Sequence, residues 1–386
     1  MMNVLSLAQQ LLPWSIKHRQ FLHQYPELAL KEFKTSAYCK KILEDLGYTI
    51  TTLWETGFIA HLNLGHYRTI AYRADMDALP IQELSNHNYK SAHSGVAHMC
   101  GHDSHMAIAL TTARILVERK NSLKVNIRFI FQPSEEVLPG GAKSMIEHGC
   151  LEGVSAIYGL HNDPKTQVGI IRCLEGAMTA GCDVFTIIVN GKGGHASSPH
   201  TALDPVSRAS LLVNEINTIR SRHLAPMHPA VISITNFHAG DAENIIPDQA
   251  TLRGIIRSFD QSDRLVIKKM MTMMVRNTHA LGYNSTIDFT ESYPSIINTL
   301  EGQQIVISAA SSLLPSSNII STGYPEAWGE DFAYYLHHSL GAFFILGSGN
   351  TTLEINSPLH SPHFNIDENS LAIGAAVMSQ ISLSMI

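Results

Sequence analysis

Between residues 181 and 293 the order of strand and helix signals changes, and this break limits most strongly what the chain can fold into. Before it, helical and extended stretches alternate. Residues 32–46 have the apolar spacing of an amphipathic helix that stops at Gly47, and residues 69–72 read as a short apolar strand. Residues 104–119 are helical, with Met106, Ile108, Leu110, Ala113 and Leu116 near one face. Residues 125–131 alternate as a strand before Pro133, residues 142–148 form a short helix, and residues 156–160 a strand. Strands separated by helices favour an α/β sheet with parallel strands. Inside the break, strands at 183–189, 230–237, 250–257 and 285–291 and helices at 205–220 and 261–279 follow the order β-α-β-β-α-β. That is the order of a split βαβ, ferredoxin-like unit. The α/β pattern then resumes with helices at 303–312 and 330–337, a strand at 342–346 and a helix from 368 to the end. The simplest organisation is one discontinuous α/β/α domain with a central mixed sheet, residues 1–180 and 294–386, interrupted by an inserted ferredoxin-like α+β domain at 181–293.

A length of 386 residues fits two domains at roughly 100–200 residues each. The balance of 27 basic to 33 acidic side chains, with no dense Lys/Arg run, argues against nucleic acid as a partner. No run of about 18 apolar residues exists, so no membrane span is expected. Lys17, His18 and Arg19 follow the first apolar stretch rather than precede it, so residues 1–26 read as an amphipathic helix and not a signal peptide. Five scattered cysteines, Cys39, Cys100, Cys150, Cys173 and Cys182, do not read as a disulfide framework. Free thiols fit a reducing, cytoplasmic setting.

Histidine stands out at 21 copies, which raises the prior for metal or acid–base chemistry. Cys100-Gly-His102-Asp103 sets a thiol and an imidazole two apart at the start of a helix, with a glycine that permits a tight turn. Both groups are good ligands for zinc and similar ions. Phe131-Gln-Pro-Ser-Glu135-Glu136 lies just past a buried strand, where open α/β sheets form their ligand crevice. There one carboxylate can bind metal while the other acts as base. His161 follows the 156–160 strand, and His360 sits in a proline-containing loop before the last helix. Asp75 and Asp77 end another strand and point the same way, placed to orient a ligand histidine or to cap a helix. Singly, each reads as readily as a structural residue. Together they supply five ligands, enough for two metal ions bridged by water and one shared side chain. The loop Gly191-Lys-Gly-Gly194 lacks nucleotide-binding spacing and reads as a tight turn that places His195.

The chain resembles the M20 metallopeptidase family, and most of all its amidohydrolase branch of hippurate hydrolases, N-acetyl-amino-acid deacetylases and auxin-conjugate hydrolases. The resemblance rests on His23-Gln-Tyr-Pro-Glu27, Arg73-Ala-Asp-Met-Asp-Ala-Leu-Pro80, Met99-Cys-Gly-His-Asp103, Phe131-Gln-Pro-Ser-Glu-Glu136, Gly193-Gly-His-Ala-Ser197, Asn244-Ile-Ile-Pro247, Glu330-Asp-Phe332 and Leu359-His-Ser-Pro362. It implies two divalent ions per subunit (Zn, Mn, Co or Ni), with ligands Cys100 (bridging), His102, Glu136, His161 and His360. It also implies Glu135 as base, Asp75 as support for a ligand histidine, and His195 as polariser of the substrate carbonyl, often across a dimer interface. Asn244 and Arg257 match positions near the substrate carboxylate in an inserted lid and dimerisation domain, so a homodimer is expected. Trp328 stands where that branch often has a small residue, and its ring would narrow the acyl pocket.

The expected reaction is hydrolysis of the amide bond of N-acyl amino acids carrying acetyl, benzoyl or aryl-acetyl groups. Alternatives are a dipeptidase of the same family, a thiol hydrolase using Cys100 and His102, and a metal-binding protein without turnover. The thiol reading leaves Glu135 and Glu136 without a role.

Overall fold

The computed structural model describes residues 3–385. The chain divides into two compact units. One comprises the residues up to Met178, Ile296–Tyr324 and those from Asp331 onward; the other comprises Thr179–Ser295 and Pro325–Glu330. The expected helix over residues 1–26 is seen as Val4–Gln24, with Met1 and Met2 outside the described residues. The last helix is Asn369–Leu383, and Ile386 lies outside the described residues. Among the described residues no helix is long and apolar enough to cross a membrane.

The first unit is built on an eight-stranded mixed sheet. From edge to edge it runs Thr49–Trp54, Gly57–Leu62, Asn126–Gln132, Thr69–Asp75, Val154–Gln167, Leu340–Gly349, Ile171–Arg172 and Ile319–Ile320. The four central strands, Asn126–Gln132 to Leu340–Gly349, are parallel to one another. They read as near-continuous apolar runs because both faces are covered. Thr69–Asp75 is buried at every position. Helices Val4–Gln24, His102–Glu118 and Asn369–Leu383 pack on one another, and Leu300–Ser311 packs on Leu340–Gly349. Tyr72, Phe129, Phe131, Tyr158 and Phe344 fill the core between these layers.

Two features go beyond the sequence reading. The antiparallel hairpin of Thr49–Trp54 and Gly57–Leu62 extends the sheet at one edge. The strand expected at 156–160 continues to Gln167, so His161 lies inside a strand and not at its end. The added stretch pairs in parallel with Leu340–Gly349. Glycines there allow the close approach, since a Cβ at Gly347 would come within 2.1 Å of the Gln167 carbonyl oxygen.

The second unit has a four-stranded antiparallel sheet in the order Ala230–His238, Gln249–Ser258, Gly181–Asn190, Asn284–Glu291. This is the pairing of a split βαβ unit. Its helices, Pro205–Asn217 and Gln261–Asn277, start at Asp204 and Asp260, whose side chains accept from Val206 N and Ser262 N. Phe185, Ile187, Leu212, Leu252, Ile256, Ile267 and Met271 form a separate core.

Candidate metal centre

Thr69–Asp75 and Asn126–Gln132 are parallel neighbours with Asp75 opposite Gln132, so both end at the same edge of the sheet. Just beyond, the two Asp77 carboxylate oxygens accept from the backbone N–H groups of Glu135 and Glu136, each at 3.0 Å. Ser134, at φ 56°, makes the turn that precedes them. The adjacent acidic residues are therefore held by their main chain.

Asp77 also fixes His102. The His102 Nδ1 lies 2.8 Å from the Asp77 carbonyl oxygen and 3.4 Å from its carboxylate. A carbonyl oxygen only accepts, so Nδ1 carries a proton, and in the neutral ring it is Nε2 that is left to a metal. His161 is set the same way, with Nδ1 2.8 Å from the Asn162 carbonyl oxygen. Gly101, between Cys100 and His102, has φ 91°, and a Cβ there would sit 2.2 Å from Asn162 Oδ1. Only glycine meets both conditions.

The five predicted ligands come together. Cys100 Sγ is 3.4 Å from His161 Nε2, and His360 Nε2 is 3.1 Å from Glu136 Oε1. His102 Nε2 lies 3.9 Å from Glu136 Oε1 and 4.0 Å from Glu135 Oε2. The donor atoms of Cys100, His102 and His161 lie within 4.8 Å of one another, as do those of Cys100, Glu136 and His360. Cys100 is common to both groups. His360 arrives on a loop at φ 65° whose N–H donates to the Met99 carbonyl at 2.7 Å.

These residues fit a pair of divalent ions. His102 Nε2 and Glu136 Oε1 are buried without a hydrogen-bond partner among the described residues. Thiol, imidazole and carboxylate donors suit zinc and its first-row neighbours. The local field agrees. Burial pushes the Cys100 thiol up, and Glu136 and Glu135 push it further, well above the ordinary range. A thiol in that field is a poor nucleophile on its own, which argues against the thiol-hydrolase reading. Burial lowers His102, yet Asp75, Asp77 and Glu136 outweigh it and raise the group to about 10. Burial pushes Glu136 up, but His360 and His102 hold it below its usual value.

Asp75 was expected to support the ligand histidine. Its shortest contacts are instead to Arg73 Nη1 at 2.5 Å and His105 Nδ1 at 2.7 Å, while His102 Nε2 is 3.6 Å away. Asp77 is the carboxylate at His102 Nδ1. His105, Arg73 and Asp331 were given no role by the sequence reading. His105 Nε2 accepts from Asn162 N at 3.2 Å, so its proton faces Asp75. Arg73 also donates to Asp331 Oδ1 at 2.8 Å and Gln132 Oε1 at 2.9 Å. The i,i+3 spacing of His102 and His105 on one helix face was the signal available for His105.

The remaining predicted residues lie in the second unit. His195 and Asn244 are neighbours there: His195 pairs with Ile245, and Ala196 N donates to the Asn244 carbonyl at 3.0 Å. His195 Nδ1 accepts from Ser197 N at 3.1 Å. Arg257 lies apart from them, on the Gln249–Ser258 strand of the four-stranded sheet. It is half-buried, makes no ion pair or side-chain hydrogen bond with another described residue, and is lowered by burial. Trp328 belongs to the same unit, where its carbonyl accepts from Ala180 N at 3.2 Å.

The chain is 38% identical over 372 residues to thermostable carboxypeptidase 1 of Saccharolobus solfataricus, covering 94% of this chain and 93% of that one. It is 37% identical over 372 residues to N-acetyl-L-cysteine deacetylase of Bacillus subtilis, covering 96% and 86%. The solved structure of the Bacillus subtilis YXEP protein, described as a dinuclear metal binding peptidase, superposes with a TM-score of 0.85 at 32% identity, covering 97% and 98%. Residues 71–384 match the family described as Peptidase family M20/M25/M40, and the chain belongs to that family.

Proposed function

We propose that the chain is a metal-dependent amidohydrolase that splits N-acyl amino acids, with acetyl, benzoyl or aryl-acetyl groups, into a carboxylic acid and a free amino acid. The observation that carries this reading is Glu135 standing beside two donor groups that share Cys100. Two divalent ions held by Cys100, His102, His161, Glu136 and His360 would supply Lewis acidity and lower the pKa of water from near 16 towards about 7.

The chain's own residues do the rest. Glu135, its backbone fixed by Asp77, takes the proton of the attacking water and passes it to the leaving nitrogen. Ser197 N donates to His195 Nδ1, so the His195 proton sits on Nε2, a donor suited to an oxyanion. Arg257, half-buried and without an acidic partner among the described residues, offers a planar fork to the α-carboxylate. Asn244 is a second polar contact for that end of the substrate.

Zinc, manganese, cobalt and nickel all suit the donors. The described cysteines are all free and buried, which supports a reducing cytosol. The family resemblance supports a homodimer. A peptidase acting on free-amine dipeptides is the second reading, favoured by the similarity to a carboxypeptidase.

The test is turnover by metal-loaded enzyme of acetyl, benzoyl and indole-acetyl amino acids beside unblocked dipeptides. Hydrolysis of dipeptides alone would move the reading to peptidase. Arg257→Ala is expected to raise KM for substrates with a free α-carboxylate and to spare their esters. Equal loss on both would remove the carboxylate clamp.

A further inference from the structure

We propose that the chain carries a third divalent-cation site, formed by His23, Glu83 and His87 and separate from the two groups that share Cys100. The donor atoms of these three side chains lie within 4.8 Å of one another. Glu83 Oε1 is 3.2 Å from His23 Nε2 and 3.2 Å from His87 Nε2. Two ligands bound at about 2.0–2.1 Å with tetrahedral angles stand about 3.3 Å apart. The observed spacings are those of the edges of such a coordination shell.

His23 Nε2 and Glu83 Oε1 are hydrogen-bonded to each other at 3.2 Å, and an ion would replace the proton they share. His23 Nδ1 is 2.9 Å from Asp103 Oδ2, which also accepts from Arg19 Nε at 2.7 Å. A histidine that gives one nitrogen to a carboxylate and turns the other outward is the pairing found behind metal-bound imidazoles. Glu83 Oε2 accepts from Ser91 N at 2.7 Å, which leaves Oε1 facing both rings. Neither His87 nitrogen makes a hydrogen bond to a described residue, although both are shut off from solvent. Its Nε2 reaches Glu83 at hydrogen-bond distance but at an angle that makes none, as expected where both atoms aim at a common third point. The His87 ring is held in place by stacking on Tyr89, centroids 4.0 Å apart and 12° from parallel.

Charge points the same way. Arg19 faces Asp103 and Glu368, and Asp103 leads through His23 to Glu83. Burial lowers His23, but Asp103 and Glu83 outweigh it and raise the group, so without an ion a proton on the ring balances these carboxylates; a divalent ion would displace the Nε2 proton and take over that balance. A cavity of about 280 Å³ lined by His87 and Asn365 lies beside this group. Two imidazoles and a carboxylate suit zinc, cobalt or nickel, with a position left for water. An ion there would tie His23, in the last turn of the Val4–Gln24 helix, to the 83–91 loop.

The experiment counts zinc in the saturated, full-length enzyme and locates it by anomalous diffraction. Three ions per chain are expected, the third between His23 Nε2 and His87 Nε2. His87→Ala, at a side chain only 15% exposed, should weaken binding of the third ion by more than the roughly 100-fold that loss of a mere supporting partner costs. Glu83→Gln should do the same. Cys100→Ser should disturb the other two ions and leave this one, so the two readings fail separately. Two ions at saturation would overturn the proposal, with His23 then bridging Asp103 and Glu83 through its own protons. A third ion bound equally well by His87→Ala would overturn it too.

Discussion

Asp77→Asn tests how the chain holds its base and its first ligand together. The carboxylate accepts two backbone N–H groups at 3.0 Å and lies 3.4 Å from His102 Nδ1, with Asp77, His102 and Glu135 buried. Asparagine has nearly the same shape, but it keeps one acceptor and turns an NH₂ group towards the other N–H. One charge-assisted hydrogen bond, about 1.5–3 kcal/mol, is lost, and a buried donor left unpaired costs about 1–3 kcal/mol. These overlap, so the total is about 2–4 kcal/mol. Spent wholly on transition-state binding, at about 1.4 kcal/mol per tenfold, this is a loss of roughly 30- to 1,000-fold in kcat/KM. A weaker grip on His102 adds a loss of metal affinity of about 10- to 100-fold. The assay is kcat/KM on the best substrate at saturating metal, with affinity from chelator competition. A variant within threefold of wild type in both would refute the argument that Asp77 positions Glu135, Glu136 and His102.

Glu135→Gln should retain both metals and lose at least ~100-fold in turnover; normal turnover would remove it as base. Gly101→Ala must hold φ 91° with a Cβ 2.2 Å from Asn162 Oδ1. A cost of about 3 kcal/mol, roughly 1–2 of it backbone strain, should lower Tm by about 4–6 °C, and an unchanged calorimetric melt would contradict it. His18 is lowered from 6.5 to about 4 by burial first, then by Lys17 and Arg114. The unfolded chain thus binds the extra proton, and stability falls as pH drops from 6.5 towards 4. Between pH 8 and 5 this amounts to no more than about 2 kcal/mol. His18→Gln should flatten that part of the denaturant-midpoint curve, and an equal pH dependence in both proteins would count against the shift.

Much of the site was legible because each ligand sits in a short segment whose chemistry is unusual wherever it falls, as in Cys100-Gly-His102 or Glu135-Glu136. Which carboxylate serves which histidine was not. Asp75 and Asp77 both close the Thr69–Asp75 strand, and their roles depend on where the His102–Glu118 helix is docked. The contact of Arg73 with Asp331 joins positions 258 residues apart, a pairing that no local pattern encodes. The second unit was readable in its strand and helix order because its apolar alternation follows one antiparallel sheet. The hairpin of Thr49–Trp54 and Gly57–Leu62 escaped because its first strand is half exposed and only pairing with Asn126–Gln132 fixes its face.

The strand order of the large sheet also bears on how the protein is made. Leu340–Gly349 lies between Val154–Gln167 and Ile171–Arg172, so these early strands wait for a partner translated much later. Thr179–Ser295, by contrast, is contiguous and has its own core. Domains tend to fold in order of synthesis. On the ribosome the core of this middle segment can therefore form before Leu340–Gly349 and His360 are made to complete the large sheet and the ligand set. A nascent chain in that state is where stray metals and oxidants would do the most harm.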